Sequence, residues 1–591
     1  MHELSIPPRV TVADGDRLSD MVVDNAREVP GLVSFGRRAS DGTWDDVTAA
    51  EFAAEVTAVA RGLIAAGVGR GDRVALMSAT RYEWTLLDYA IWSAGAVCVP
   101  VYETSSAEQV DWILADSGAV AVVVETDAHL ALVEASSAAP ALRWTFGQLP
   151  ALIAAGSSVT DAAAEERRTA VRADDVATIV YTSGTTGRPK GCVLTHRNLL
   201  ADVKAGNDVL QPVYDADGST LLFLPLAHVF GRVIEIGSVL QRSRLGHSSD
   251  VRRLPEDLRS FQPTFLLAVP RVFEKAYNSA RQTAYAAGKA RIFDAAEATA
   301  IAYSRALSRG RVSPLLKARH ALFDRLVFSK IRAGLGGRCV NAISGGAALG
   351  ERLGHFFRGA GITVLEGYGL TETSAGATLN LPGAQRIGTV GRPVPGTAVR
   401  IAEDGEILLS GPNVFSGYWQ NESATSEVLG DGWFRTGDLG SLDDDGYLTV
   451  TGRKKDLIVT ANGKNVAPAV LEDRLRAHPL VGQCMVVGDR QPFIAALVTI
   501  DPDAWPGWLA AHGREPGTTV AALATDPELR ATVQEAVDEA NRAVSRAESI
   551  REFRILPEDF TEAGGELTPS LKVRRTEVLK RYAADVAAIY A

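Results

Sequence analysis

The stretch ATIVYTSGTTGRPKGCVLTHRNL, residues 177–199, decides how the rest of the chain is read. A β-branched run, Thr178-Ile179-Val180, leads through Tyr181 into Thr182-Ser183-Gly184-Thr185-Thr186-Gly187-Arg188-Pro189-Lys190-Gly191. Glycines let a backbone curl until successive N–H groups converge on an anion. Hydroxyls on both sides add donors, and Lys190 supplies a mobile cation, so the parts of a polyphosphate holder are present. A plain solvated loop would not need an unbroken run of hydroxyl and glycine positions closed by Pro-Lys-Gly behind an apolar strand. A P-loop nucleotide site requires GxxxxGK[ST], and the glycines at 184, 187 and 191 set no Lys-Ser/Thr pair after the second glycine.

Around this stretch, from about residue 50 to 375, helical and strand-like segments alternate. EFAAEVTAVARGLIAAGV (51–68) has helical apolar spacing and is followed by the strand-like DRVALMS. YEWTLLDYAIWSAGA then reads as helix, VCVPVY as strand, VDWILADSGA as helix and VAVVVE as strand. Such alternation predicts βαβ units and a parallel sheet covered by helices. Residues 272–335 read as a mostly helical, solvated insertion rich in Ala, Arg and Lys. Between about 385 and 450 short β-like pieces separated by Gly and Asp turns predict a small β-rich subdomain. After GRKKD (452–456) comes a third texture, two helices and two strands in a compact α+β tail. The expectation is an α/β large domain over 1–452 and a small, mobile α+β domain over 453–591, hinged at 453–456.

Composition narrows the class. A chain of 591 residues exceeds one hydrophobic core. Its net charge of −10 gives no electrostatic case for nucleic acid. Cys98, Cys192, Cys339 and Cys484 form no CxxC pair, so neither a disulfide framework nor a structural zinc site is expected, and a reducing cytoplasm fits. The N-terminus lacks a signal-peptide pattern, and no apolar run nears the roughly 20 residues that span a bilayer. A soluble chain, at most resting on a membrane surface, is expected; its oligomeric state is not legible.

The 182–191 motif closely resembles the phosphate loop of the adenylate-forming superfamily, which includes acyl-CoA synthetases, luciferases and peptide-synthetase adenylation domains. Other stretches resemble that family's remaining motifs, in order. Leu224-Pro225-Leu226-Ala227-His228-Val229-Phe230-Gly231 is similar to the segment whose histidine or aromatic lines the acyl pocket, implying a catalytic place for His228. Ile343-Ser344-Gly345-Gly346-Ala347-Ala348 resembles a turn that approaches the base, through Gly346 and Ala347. Glu366-Gly367-Tyr368-Gly369-Leu370-Thr371-Glu372-Thr373 resembles the nucleotide motif, implying nucleotide contacts from Glu366, Gly367, Tyr368, Gly369 and Thr371. Within it the resemblance puts Tyr368 on adenine, Thr371 on phosphate, and Glu372 with Thr182 on Mg²⁺. Asp438, in GWFRTGDLG, and Arg453, in GRKKD, match the ribose ligands, and Lys455 matches the pivot. Thr460–Asn465 matches the loop that approaches the site during thiol transfer. Leu571-Lys572 matches the catalytic-lysine motif in the form that long-chain fatty acyl-CoA synthetases tend to carry.

The resemblance implies a ligase that uses ATP, Mg²⁺ and coenzyme A. A long-chain fatty carboxylate would form acyl-AMP and pyrophosphate, and a thiol would then take the acyl group. Thr182, Ser183, Gly184, Thr185, Thr186, Gly187 and Lys190 would hold the phosphates, and Lys572 would neutralise charge during adenylation. Only 19 residues follow Lys572, too few for a carrier domain, so free coenzyme A is the leading acceptor. A fatty acyl-AMP ligase serving a separate carrier protein is the alternative. Absent kinase signatures disfavour a phosphotransferase, and a non-catalytic acyl-CoA sensor would be expected to lack Lys572 or Glu372. A luciferase-like oxidase shares the first step, and light output with a luciferin would identify it.

Overall fold

The computed structural model of the chain describes residues 1–182, 188–211, 213, 218–461, 464–568 and 571–591. Ser183, Gly184, Thr185, Thr186 and Gly187 lie outside the described residues. Seven strands form one sheet in the order Gly417–Tyr418, Lys190–Thr195, Val176–Thr182, Val97–Val101, Arg73–Met77, Ala121–Val124, Leu142–Thr145. The pairings from Val176–Thr182 through Leu142–Thr145 are parallel, as the alternating pattern predicts. These strands are β-branched and buried on both faces because helices cover each side. The helices are cut cleanly at their ends. Thr48 and Glu51 form a reciprocal cap at the start of Ala49–Ala65, and Gly118, in the left-handed region, ends Ala107–Ser117.

One departure from simple βαβ order matters for the site. Strands Val176–Thr182 and Lys190–Thr195 are antiparallel, with Thr182 directly opposite Lys190. The two ends of the glycine-rich segment are therefore held side by side at one sheet edge. Two further sheets complete this part of the chain. Ser219–Leu222 and Arg244–His247 run parallel and join the hairpin Val33–Arg38/Trp44–Thr48. Phe265–Ala268, Asn341–Ser344 and Thr363–Tyr368 are also parallel, and the last of these delivers the nucleotide motif. The helices from Pro270 to Gly334 form the expected insertion.

The β-rich region is a six-stranded antiparallel sheet built mainly from Ala398–Ile401, Glu406–Ser410, Trp433–Leu442 and Leu448–Arg453. Its edge is strand Glu3–Ser5, which pairs with Ala398–Ile401 and which the sequence reading did not foresee. Beyond Ile458 lies separate packing. Val481–Val487, Ile494–Ile500 and Ile550–Ile555 form a three-stranded sheet. Alternation along the strands feeds two cores: Cys484 and Val486 face helices Pro468–Arg476 and Pro527–Asn541, while Met485 and Val487 face Leu556, Phe560 and Val578. Among the described residues no helix is long and apolar enough to cross a membrane.

A fully buried ion pair ties helix Tyr82–Ser93 to helix Val229–Gln241. Arg232 Nη2 lies 3.0 Å from Asp88, both side chains at 0% exposure. Trp84 Nε1 donates to the same carboxylate at 3.3 Å, and the guanidinium rests 5.4 Å from the centre of the Trp92 ring. Burial, then the neighbouring Asp88 charge, pushes Glu235 well above the usual carboxylate range, which keeps it protonated beside the pair. Removing one partner strands the other charge in the core. Asp88→Ala is expected to destabilise the protein by about 3–5 kcal/mol, read as a lower urea midpoint for the fluorescence transition than in the wild type.

Candidate active site

The motif segments converge on one cleft of about 2690 Å³ that runs between the large sheets and the C-terminal packing unit. Thr182, Lys190, His228, Gly346, Gly367, Tyr368, Gly369, Thr371, Glu372, Asp438, Arg453, Lys455 and Lys572 all line it. Thr182 and Lys572, 390 positions apart in the chain, thus share one space.

Asp438 and Arg453 meet because their strands pair in register, Asp438 opposite Arg453. Arg453 Nε lies 3.2 Å from the carboxylate, and the Tyr368 hydroxyl donates to its other oxygen at 2.7 Å. Burial raises Asp438 above its usual range, with Arg453 and the Tyr368 bond opposing that shift. The Asp438 turn is itself held from below. Thr436 Oγ1 accepts the Asp438 N–H at 3.0 Å, and Glu406 accepts the Gly437 N–H at 3.0 Å. Glu406 also pairs with Lys454 at 3.2 Å, so a single buried acid fixes both the turn and the start of the 454–456 segment. The sequence reading missed Glu406; the signal was an acid opening an otherwise apolar strand, EILLS.

His228 caps helix Val229–Gln241, its Nδ1 accepting the Phe230 N–H at 3.1 Å. Burial first, then the Lys572 charge, drives its pKa down to about 3, so it is neutral at any physiological pH. The same helix turns Val229, Phe230, Val233, Ile234 and Gly237 toward the cleft, giving it an apolar arm. Lys572 stands on a tight turn: its N–H donates to Thr568 Oγ1 at 3.0 Å, its carbonyl accepts from Thr568 N–H, and Leu571 adopts φ +60. Its side chain opens onto cleft solvent, yet protein walls on several sides leave the ammonium poorly hydrated. Burial, then Arg453, lowers its pKa below the lysine range, while Asp438 and Glu372 pull it back up. The cation sits in the field of all three groups.

Glu372 is oriented by a residue the sequence reading also missed. Tyr418 donates its hydroxyl to Glu372 Oε1 at 2.8 Å, and Lys190 Nζ lies 5.1 Å from the Tyr418 ring centre. Tyr418 is placed by strand pairing opposite Cys192, beside Gly417 opposite Val193. Cys192 Sγ is 4.0 Å from Thr182 Oγ1, and the Glu372 charge helps push the Cys192 thiol well above its usual pKa, after burial. A hydroxyl and a carboxylate therefore flank one spot. Among the described residues no group of three His, Cys, Asp or Glu could hold a metal alone. One carboxylate, a hydroxyl and substrate phosphates are oxygen ligands of the kind that Mg²⁺ accepts, so the donor set fits.

Two candidates stand outside the cleft lining. The Glu366 carboxylate is buried under the 345–350 turn, where it accepts the Leu349 N–H at 2.9 Å, so it shapes that turn rather than facing the cleft. Ala347 is exposed beyond Gly346, whose φ of +82 makes the turn itself. Lys455 lines the cleft within the short helical turn Lys454–Asp456, and burial, then Arg453, lowers its pKa. Of the 460–465 loop, Asn462 and Gly463 lie outside the described residues. Thr460 N–H donates to Lys464 O at 3.0 Å and Lys464 pairs with Glu548 at 3.3 Å, away from the cleft lining.

Burial raises Glu366 to about 7, against 4.5 for an ordinary glutamate. The folded state binds its proton more tightly than the unfolded state, so this group's contribution is full below pH 4.5 and is lost as pH rises toward 7. Glu366→Gln removes that titration. The stability of the variant relative to wild type is expected to rise by about 3 kcal/mol between pH 4.5 and pH 7, measured by urea unfolding of both proteins across that range.

Comparison with known proteins follows the same lines. The family described as AMP-binding enzyme matches residues 24–419, and the AMP-binding enzyme C-terminal domain matches residues 455–591. The long-chain-fatty-acid–CoA ligase FadD15 of Mycobacterium tuberculosis is 54% identical over 599 aligned positions, covering 100% of both chains. The peroxisomal long chain acyl-CoA synthetase 7 of Arabidopsis thaliana is 32% identical over 94% of this chain and 83% of its own. The fold is shared with an anthranilate CoA ligase crystallised with anthranoyl-AMP, at a TM-score of 0.74 and 20% identity, covering 98% of this chain and 99% of that one.

Proposed function

The chain belongs to the AMP-binding enzyme family, and from that premise we propose that it joins a long-chain fatty acid to coenzyme A, converting ATP to AMP and pyrophosphate. The observation that carries this reading is the position of Lys572, brought from the C-terminal unit into a cleft shared with Glu372, Asp438 and His228.

In the first step a carboxylate oxygen attacks the α-phosphorus of ATP; a phosphorus–oxygen bond forms there, and the bond to the β-phosphate breaks. Tyr368 supports adenine, while Asp438 and Arg453 take the ribose hydroxyls. Thr182, Lys190 and the residues between them hold the outer phosphates. Mg²⁺ would rest on Glu372 with the Thr182 hydroxyl beside it and would neutralise phosphate charge. Lys572 answers the negative charge that builds between the acyl carboxylate and the α-phosphate. Groups of this kind typically contribute about 10²–10³ in rate. Neutral His228 leaves the carboxylate without a competing cation beside the apolar arm, and that arm takes the acyl chain.

In the second step the thiol releases its proton to solvent and its sulfur bonds to the acyl carbon; the bond from that carbon to the bridging oxygen breaks, and AMP departs with that oxygen. In this reading a clamp on negative phosphate and a channel for a thiol call for different placements of Lys572, so the two steps use different arrangements of the C-terminal unit. We place the moving unit at 453–591 and the pivot at Lys455, with rotation that withdraws Lys572 and brings 460–465 to the cleft. The small helical turn at Lys454–Asp456 and the cleft-facing Lys455 support that assignment. Delivery to a separate carrier protein is not favoured, because the full-length relative at 54% identity is named a CoA ligase.

The test is a panel of acids from acetate to icosanoate, given with ATP, Mg²⁺ and coenzyme A, with AMP and thioester both measured. Long-chain acids are expected to give the highest kcat/KM and equal yields of AMP and thioester; ADP in place of AMP would overturn the proposal. Lys455→Pro is expected to lower thioester formation by about tenfold more than acid-dependent pyrophosphate exchange, a difference of about 1.4 kcal/mol in barrier. Equal losses in the two half-reactions would remove Lys455 as the pivot.

A further inference from the structure

Among the described residues, the helices of eight residues or more contain Gly62, Gly206, Gly231, Gly237, Gly354 and Gly359. Four of these have a packing reason. A Cβ at Gly62, Gly231 or Gly359 would fall 2.5, 2.4 or 2.1 Å from a backbone carbonyl oxygen, and one at Gly354 would meet Ile387 at 3.0 Å. Gly206, in helix His196–Leu210, and Gly237, in helix Val229–Gln241, have none. A Cβ at Gly206 would meet nothing within 4 Å, and one at Gly237 only Asn207 Oδ1, at an ordinary 3.8 Å. Neither has the left-handed backbone that favours glycine, and both helices run unbroken through these positions, so neither glycine serves a kink. Glycine inside a helix is destabilising relative to alanine. Two helices therefore carry a cost that their packing does not explain.

Both glycines line the cleft. Helix His196–Leu210 turns Asp202, Val203, Gly206, Asn207 and Leu210 toward it, a spacing that returns to one helix face. Along that helix Asp202 marks the reacting end, because it accepts the Gly376 N–H at 3.1 Å just past the nucleotide motif. His228 marks the same end of helix Val229–Gln241. Gly206 stands one turn beyond Asp202, and Gly237 nine residues beyond His228, about 13 Å along the helix axis. Asn207, next to Gly206, is also the first atom a Gly237 side chain would meet, so both glycines border one stretch of the apolar arm.

We propose that Gly206 and Gly237 set how long an acyl chain the arm accepts, an assignment that rests on reading that arm as the acyl site. A hydrocarbon chain gains from each methylene buried against an apolar wall, and it needs free bore along its whole length. The two missing side chains leave that bore open at a depth well past the reacting carboxylate. A short acid ends before reaching it, and a long acid runs through it. A side chain grown at either position would project into the path of the long acid alone. Misfit of one methylene in an apolar pocket discriminates between substrates by about 10–200-fold, which is ample to decide chain length. The space that costs both helices stability is thus the space that the distal part of the chain fills.

The experiment compares the full chain with its Gly206→Ala, Gly237→Ala, Gly206→Leu and Gly237→Leu variants. Both alanine variants are expected to unfold at a higher urea midpoint than the wild type, since each new methyl enters open space. A lower midpoint would give the glycines a packing role and overturn the proposal. The kcat/KM of acid-dependent pyrophosphate exchange is then measured on hexanoate, decanoate and palmitate. Each leucine variant is expected to lower the palmitate-to-hexanoate ratio by about 100-fold, and each alanine variant to lower it less. A ratio equal to that of the wild type in leucine variants that unfold cooperatively overturns the assignment and leaves the long-chain reading standing. If a leucine variant fails to fold, the alanine ratio decides in the same way. A wild type that favours hexanoate over palmitate overturns the long-chain reading and this assignment with it.

Discussion

A lysine ammonium held among two carboxylates and an arginine is the constraint on which the rest of this architecture turns. Lys572 belongs to a unit with its own cores, yet it sits within the field of Glu372, Asp438 and Arg453, which are all supplied by other layers. That position has a built-in tension. Asp438 and Glu372 attract the cation, Arg453 repels it, and partial removal from water disfavours it. The proposed rotation would withdraw such a group without breaking a deep ion pair, because among the described residues no direct salt bridge ties Lys572 to the large unit. The bonds that hold the two units together are placed elsewhere, at Arg271–Asp501, at Arg352 donating to the Ala477 carbonyl, and at Thr104 donating to Glu562. All are polar, and Lys275 adds another with Asp503 at 3.8 Å.

The stationary half of the site is built for the opposite property. Glu406 grips the Asp438 turn and Lys454 together, so Asp438 and the 454–456 segment share one anchor. Tyr418 holds Glu372 with its hydroxyl and takes Lys190 against its ring, coupling the phosphate strand to the acidic side chain across three strands. The helix that presents His228 is locked by a buried ion pair with no solvent access. Charge inside a core is an expensive way to fix geometry when breaking it costs several kcal/mol. It makes sense where a helix must hold one register, because a small slide would move both the capping histidine and the apolar arm.

The cleft-lining residues that stand in glycine-rich or charged motifs were legible in the sequence as candidates, and those that hold another side chain in place were not. Strands such as VCVPVY and FIAALVTI announce themselves by β-branching and length, and glycine-rich motifs announce phosphate chemistry. Tyr418 and Glu406 read as an ordinary aromatic and an ordinary acid, because their meaning lies in a partner far along the chain: Glu372 is 46 positions from Tyr418. Glu366 is placed differently from its motif neighbours. It stands inside the most specific motif, yet it stabilises the 345–350 turn instead of lining the cleft, since membership of a motif does not fix which way a side chain points. Strand Glu3–Ser5 escaped because three residues cannot show a period, and only pairing with Ala398–Ile401 gives them a structure.

Net charge says nothing of where charges sit. A total of −10 argues against polyanionic partners only if the charge is spread evenly, and the 305–338 segment shows that it is not. Electrostatic attraction at a surface is governed by charge within about one Debye length, near 8 Å at physiological salt. Anything charged near the outer side of helix Pro314–Phe323 therefore responds to Arg319, Arg325 and Lys330, and barely to acids on distant faces. The reading of 272–335 as a solvated helical insertion fits this: its basic side chains suit water, and the leucines at 315, 322 and 326 are too few to alter its average polarity. Only their shared direction, which needs the folded helix, distinguishes a ridge from scattered exposure.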